Sequence, residues 1–397
     1  MTISKQTIDE LVALVDESRL VGDLSSMVSV PSVNPFDEPV TKECREQEFA
    51  ESYLQHMNGV GLDTFKRDVA DGRPNVFGRR HGSGEGPTVM LAGHLDTVGV
   101  EDYVDPFNPV VRNRKLYGRG SCDMKAALAA YIEVGRILDH AGLTLKGDLL
   151  IAGVADEEHM MLGSKDVSEN GPIPDFAIVG EPTELEVCHA HKGQLCMHIK
   201  TFGKASHSSV PENGINAINH MADVIKSLGQ YGDDLLARPA HPVCGHGKVT
   251  PCVINGGSIS SSVPDYCELE VDRRTLAGES LESVIEEYRQ LLDSLKNSVP
   301  NFDYEIGPHT LNNLPLDTPA DSSVVTSIAE AYQHVLGKPA PVGAFPASTD
   351  APHFLCPAVI CGPGSINQAH TLDEYVSIDE LCASARIYLR TVLNMIS

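Results

Sequence analysis

The chain is short of positive charge. Lys and Arg number 30 against 55 Asp and Glu, a formal net charge of -25, so the protein repels phosphate backbones and anionic bilayers. Nucleic acid and membrane surfaces are therefore not expected as partners. The acidic residues are dispersed rather than blocked, which fits a solvated surface better than an acidic tail. No apolar stretch approaches the roughly 20 residues of a membrane span. Met1 to Val15 carries Asp9 and Glu10 among alternating polar and apolar positions, without the cationic start and apolar run of a secretory leader. The ten cysteines include no CxxC pair, which argues against a disulfide framework or a structural zinc module and for buried thiols in a cytoplasmic protein. No GxGxxG follows a strand, so a dinucleotide fold has no support. Internal repeats and low-complexity segments are also missing.

What is present is a large apolar inventory, 42% of 397 residues, enough for two domains or for one domain with an insertion. Between residues 40 and 190 helical and extended patterns alternate. A helical stretch around Phe49, Tyr53 and Met57 ends near Gly59 and Gly61, and Val89 to Ala92 reads as a buried strand. An alanine-rich helix runs from Asp123 to a Gly142 stop, and strands follow at Leu149 to Val154 and Phe176 to Val179. This alternation predicts an α/β domain with a mostly parallel sheet covered by helices on both faces. From residue 190 to 303 the pattern changes. Leu195, Met197 and Ile199 alternate with polar neighbours, as do Cys267, Leu269 and Val271, predicting a small antiparallel sheet. Two amphipathic helices accompany it, one with an Asn213 cap and one starting at Ser280. After 303 the α/β pattern returns, with a helix from Asp321 to Gly337, a strand at Ala358 to Cys361 and a closing helix behind a Ser377, Glu380 capping box. Residues 1–189 and 304–397 thus form one domain, with 190–303 inserted into it.

Acidic and histidine residues stand at the ends of these stretches. His94 and Asp96 follow the Val89 strand on the same side of an extended backbone, where a carboxylate can orient an imidazole ligand. Asp123 ends Gly118-Arg-Gly-Ser-Cys-Asp123; alone it reads as a helix cap, and a metal ligand at a helix start is equally sound. Glu157 and Glu158 lie in Asp156-Glu-Glu158, adjacent carboxylates that repel one another unless a cation is present. One of the pair can bind metal while the other moves a proton. Glu181 follows Phe176 to Gly180, and His370 lies in a glycine-rich loop that contains Gly364. In open α/β sheets the carboxyl ends of strands line the ligand crevice, so these segments predict a metal-dependent hydrolase.

Gly93-His-Leu-Asp-Thr-Val98, Tyr117-Gly-Arg-Gly-Ser-Cys-Asp-Met-Lys125, Asp156-Glu-Glu158, Val179-Gly-Glu-Pro-Thr183, Gly203-Lys-Ala-Ser-His-Ser-Ser209 and Ala369-His-Thr-Leu-Asp-Glu-Tyr375 resemble the co-catalytic metallohydrolases. That family includes acetylornithine deacetylase, succinyl-diaminopimelate desuccinylase, aminoacylase and carboxypeptidase G. The resemblance implies two divalent metal ions, usually zinc with cobalt accepted. His94 and Glu181 would hold one ion, Glu158 and His370 the other, with Asp123 as the bridge. It implies Asp96 as the partner of His94, Glu157 as general acid and base, and a cis peptide between Asp123 and Met124. It implies His207 as an oxyanion donor reaching across a homodimer formed by the inserted, lid-like domain. Arg274, with Arg273 as a rival, would grip a substrate carboxylate, and Gly364 is a further expected substrate contact. Ser261 and Ser262 stand where the family usually has Asn before Val-Pro, so Asn255 is the expected substitute. The activity implied is hydrolysis of an N-acyl amino acid, acetylornithine deacetylase-like. A di- or tripeptidase or carboxypeptidase is the second enzyme reading, and a binding protein of the same fold the non-catalytic one; the latter predicts a lost ligand or base, and none is lost.

Overall fold

The structure is a computed structural model that describes residues 3–397. Helices α1 (Lys5–Val12), α2 (Glu17–Val28) and α3 (Glu46–Gly59) precede the paired strands β1 (Asp63–Ala70) and β2 (Arg73–Arg80). Next come β3 (Thr88–His94), α4 (Lys125–Ala141), β4 (Asp148–Val154), α5 (Leu162–Asn170), β5 (Phe176–Val179) and β6 (Val187–His191). The middle stretch comprises β7 (Gly193–Phe202), α6 (Ala217–Ala237), β8 (Lys248–Gly256), β9 (Tyr266–Thr275), α7 (Leu281–Ser298) and β10 (Asp303–Asn313). The chain closes with α8 (Ser323–Leu336), β11 (Ala358–Ile360) and α9 (Ile378–Ile396). These elements fall into two units: one runs to His189 and resumes over 318–345 and 349–397; the other holds 190–317 with 346–348.

In the first unit the strand order is β1-β2-β4-β3-β5-β11-β6. β4, β3, β5 and β11 are mutually parallel, while β2 joins β4, and β6 joins β11, antiparallel. The parallel strands are buried on both faces, which is why they read as unbroken apolar runs. Val89, Leu91, Leu149, Ile151, Ile178 and Val359 face a core shared with α2, α3, α4, α8 and α9, while α5 and the turn Ala351–Phe354 pack elsewhere on the sheet. Helix α4 stops where Gly142 adopts φ +60, a left-handed conformation that costs glycine little.

The second unit is a four-stranded antiparallel sheet, β8-β9-β7-β10. Buried and half-buried residues alternate along β7 and β9, and the buried set packs on Met221, Val224 and Leu228 of α6 and Val284, Tyr288 and Leu292 of α7. The Ser280 capping box is present, completed by Ser283.

Four expectations need correction. The expected boundary at 303 cuts off β10, which pairs with β7 from Asp303 to Asn313, so the second unit continues to Asp317. Register breaks around His309, next to Gly307 and Pro308, erase the two-residue alternation that marks a strand. Helix α6 is capped by Asn216, whose side chain accepts from Ile218 and Asn219 N–H; Asn213 lies in a separate short turn. Ser377 precedes α9 but makes no capping hydrogen bond, and Glu380, the other half of the expected box, accepts the Gly364 N–H instead. Asp123 is not a cap: α4 begins after Met124, and the Asp123–Met124 peptide is cis.

Close backbone approach ties the β11 loop to the β5 loop. A Cβ at Gly362 would lie 2.0 Å from the Gly180 carbonyl oxygen and 2.5 Å from that of Glu181. Gly362→Ala should therefore destabilise the protein by about 1–3 kcal/mol, the usual cost of overpacking, as a lowered urea midpoint. An unchanged midpoint would show that the two loops separate freely.

Candidate metal centre

Because β3, β4, β5 and β11 run parallel, their carboxyl ends lie along one edge of the sheet. His94 ends β3, Glu157 and Glu158 follow β4, Glu181 follows β5, and the loop after β11 leads to His370. Asp123, just before α4, is buried among them. His94 Nε2 lies 3.0 Å from Asp123 Oδ1 and 3.9 Å from Glu181 Oε2. On the other side, His370 Nε2 lies 3.6 Å from Asp123 Oδ2 and 3.2 Å from Glu158 Oε2. One Asp123 oxygen thus faces each histidine, with a glutamate beside each. His94, Asp123 and Glu158 each offer a ligand atom, all within 4.8 Å of one another, as a metal-binding group requires. His370 has φ +63 and Asp156 φ +69, left-handed conformations that Asp and His adopt more readily than most side chains.

Electrostatics gives a fit test. Burial favours the neutral form of His94, but Glu181 and Asp123 overcome it and hold the ring well above the usual histidine range. Hydrogen bonds to Asp123 and Glu158 push His370 up to about 10. Burial drives Glu157 and Glu181 well above the carboxylate range, with neighbouring carboxylates adding to the effect and His94 opposing it. Asp123 alone is lowered, burial being outweighed by its two histidines. Without a cation, protons must neutralise the cluster. Glu158 Oε1 and Glu181 Oε1 are buried with no hydrogen-bond partner, as anionic oxygens reserved for a cation would be. The nitrogen and oxygen donors fit zinc-like divalent ions.

Asp96 stands against the His94 ring and has a second job besides. The His94 Nδ1–H donates to the Asp96 backbone carbonyl at 2.9 Å, leaving Nε2 as the ligand atom. The Asp96 carboxylate, 3.7 Å from Nδ1, also accepts the backbone N–H groups of Glu157 and Glu158. It sets the turn that carries both glutamates.

Two relevant side chains escaped sequence reasoning. The buried Glu374 carboxylate accepts N–H bonds from Gly120, Cys122 and Asp123 and one from Arg119, tying the Asp123 loop to the His370 loop. Its only sequence signal was its place four residues after His370. Asp350 is also buried, and burial pushes it up to about 7 against the pull of Ser164 and His94. It follows no apolar run and gave no signal.

The remaining expected residues divide between the units. Gly364, in the first, is not a free substrate contact. Its N–H donates to Glu380 and its carbonyl accepts from Glu184, and at φ +90 a Cβ would meet Cys122 Sγ at 2.4 Å. In the second unit His207 is exposed in a short strand paired with Ser262. Its Nδ1 accepts the Ser209 N–H at 3.2 Å, which puts the hydrogen of the neutral ring on Nε2. Arg273 is fully buried, bonded to Tyr231, Glu279 and the Arg274 carbonyl. Arg274 is a third exposed, held by Asp272 at 2.9 Å. Asn255 and Ser262 line one cavity of about 300 Å³.

A protein-family model, peptidase family M20/M25/M40, matches residues 90–394. Acetylornithine deacetylase of Vibrio atlanticus (strain LGP32) is 33% identical over 342 residues, covering 83% of this chain and 86% of the relative. Acetylornithine deacetylase of Proteus mirabilis (strain HI4320) is 36% identical over 307 residues, 75% and 76% of the two chains. Among solved structures, a tripeptidase from Staphylococcus aureus superposes with a TM-score of 0.77 at 21% identity, covering 96% of this chain and 99% of its own. A family match over most of the chain, around clustered metal-ligand side chains, makes this protein a member of peptidase family M20/M25/M40 and a hydrolase of amide or peptide bonds.

Proposed function

We propose that the protein hydrolyses the amide of an N-acyl amino acid, in the manner its acetylornithine deacetylase relatives are named for. The observation that carries the reading is the Asp123 carboxylate, its two oxygens turned to two different histidine and glutamate pairs. On this reading His94 and Glu181 hold one divalent ion, Glu158 and His370 a second, and Asp123 is shared. Zinc is the expected metal, with cobalt accepted. Bound ions of this kind supply Lewis acidity and bring the pKa of water at the site toward ~7.

The chain's own residues do the rest. Glu157, raised in pKa by burial and by neighbouring carboxylates, takes the proton of the attacking water and returns it to the departing amine nitrogen. The Nε2–H of His207, reaching across the homodimer, donates to the carbonyl oxygen as charge develops there. Arg274 pairs with the substrate carboxylate, an arrangement a planar guanidinium suits, while Asn255 contacts the acyl amino acid from its cavity. Apolar side chains on the second unit, Val253 and Ile254 of β8 and Ile218 and Ile225 of α6, remain solvent-exposed, which supports a homodimer through this unit. Ten free cysteines agree with a reducing, cytoplasmic setting. Among the described residues no helix is long and apolar enough to cross a membrane.

Three outcomes test this. Metal-reconstituted protein offered N-acetyl, N-succinyl, N-formyl and N-carbamoyl amino acids and short peptides should turn over an N-acetyl amino acid fastest. A preference for di- or tripeptides would replace the deacylase reading with a peptidase one. Glu157→Ala should lower kcat by about 10²–10⁴-fold while metal content by elemental analysis stays at the wild-type level; full activity would refute the assigned role. Finally, His370 is held up at about 10 in the metal-free chain, so at pH 7 it is protonated and must lose that proton to become a ligand. Zinc titrations by calorimetry in buffers of different ionisation enthalpy should show proton release, with affinity strengthening as pH rises toward 10. Binding that takes up no buffer enthalpy and ignores pH would contradict the ligand set.

A further inference from the structure

A buried polar network lies behind the candidate metal centre, and the proposed reaction makes no use of it. The Asn34 amide, 1% exposed, donates one Nδ2 hydrogen to Asp96 Oδ2 at 2.7 Å and the other to Asp156 Oδ1 at 2.9 Å. Its carbonyl oxygen accepts the Phe36 N–H at 2.9 Å, so the amide is used completely and in one orientation. Arg73, at the start of β2, donates from Nη1 to Asp156 Oδ1 at 2.5 Å and from Nε to Glu46 Oε2 at 2.6 Å, and its Nη2 faces Asp96 Oδ2 at 3.8 Å. The two carboxylates held this way grip a single turn. Asp96 accepts the N–H groups of Glu157 and Glu158 at 3.1 and 3.2 Å, and Asp156 accepts those of Met160 and Leu162 at 3.2 and 3.4 Å.

Three buried carboxylates, Glu46, Asp96 and Asp156, would repel one another unless bridged. The Arg73 guanidinium hydrogen-bonds Glu46 and Asp156 and brings its charge to 3.8 Å from Asp96, and the Asn34 amide spans Asp96 and Asp156 without adding charge. We infer that Asn34 and Arg73 are positioning residues, locking Asp96 and Asp156 so that the turn between β4 and α5 presents Glu157 and Glu158 in one working orientation. The inference rests on the proposed roles of those two glutamates. Its consequence is that side chains from the loop after α2 and from the antiparallel strand β2 govern chemistry at the parallel strand ends. Displacement of a reacting group by about 1 Å can cost about 100-fold in rate.

The test compares wild type with Asn34→Ala, Arg73→Gln and Arg73→Lys, reading metal binding and turnover separately. Cobalt(II) alone is titrated into metal-free protein and followed by its visible absorption, and kcat and KM are measured on the best substrate of the acyl and peptide screen. Asn34→Ala and Arg73→Gln should weaken cobalt affinity or lower kcat by about 10–100-fold, the range for groups that orient ligands from behind. KM should change little, and the cobalt spectrum should shift. Arg73→Lys should recover part of the loss. Folded variants, checked by circular dichroism, with wild-type cobalt affinity and wild-type kcat would overturn the inference. So would failure of both Asn34→Ala and Arg73→Gln to fold, which would make the network purely structural. Wild-type protein that binds cobalt but hydrolyses nothing in the screen would sink the functional reading instead, and the cobalt affinities of the variants would still decide the positioning role.

Discussion

Crowding of buried carboxylates is the constraint on which the catalytic unit turns. Asp123, Glu158 and Glu181 are brought to the ends of parallel strands and the start of α4, with histidines as their ion-pair partners among the described residues. Such an arrangement is unfavourable without a cation, because taking each charge out of water costs several kcal/mol before repulsion is counted. The pKa pattern is the signature of that cost: Glu157 and Glu181 cling to protons, and the histidines are held charged. Divalent ions would replace those protons with fixed charge. The same crowding makes Glu157 suited to carrying a proton.

Around this cluster the fold uses polar side chains to hold loops rather than to bind anything. Glu374 accepts from the N–H groups of Gly120, Cys122 and Asp123 and from Arg119, joining the segment that carries Asp123 to the one that carries His370. Asp96 does the equivalent for the turn after β4, with Asn34 bonded to Asp96 and Arg73 to Asp156 behind it. Glycines complete the design by letting backbones approach. Gly362 lies against the Glu181 carbonyl, where any side chain would push the β5 and β11 loops apart. Ligand geometry is therefore set by a shell of hydrogen bonds as much as by the strands themselves.

Much of the fold was legible because local patterns and tertiary burial agree. The apolar runs at Val89, Leu149, Phe176 and Ala358 are strands within a residue or two of expectation, since a strand buried on both faces has little polar content to confuse its reading. The alternation along Leu195 to Ile199 and Cys267 to Val271 appears directly as alternating burial. Misreadings arose where irregular backbone or a distant partner intervened. Strand β10 was hidden by Gly307 and Pro308 within it, and Glu380 was drawn from its expected cap toward Gly364, 16 residues away in the preceding loop.

For the site, the sequence by itself determined which residue types could ligate and in what order, because His94, Asp123, Glu158, Glu181 and His370 stand at strand or helix ends within specific motifs. It also determined the α/β class and the change of pattern at residue 190. Only the tertiary structure decided that one Asp123 oxygen turns to each histidine, that the Asp96 carboxylate also serves Glu157 and Glu158, and that Arg273 is consumed inside its own unit while Arg274 keeps solvent access. It also brought in Asn34, Arg73, Asp350 and Glu374. The physical reason is one of range: periodicity and capping act over a few residues, whereas a hydrogen bond between residues 34 and 156 depends on where separate loops are carried by the sheet.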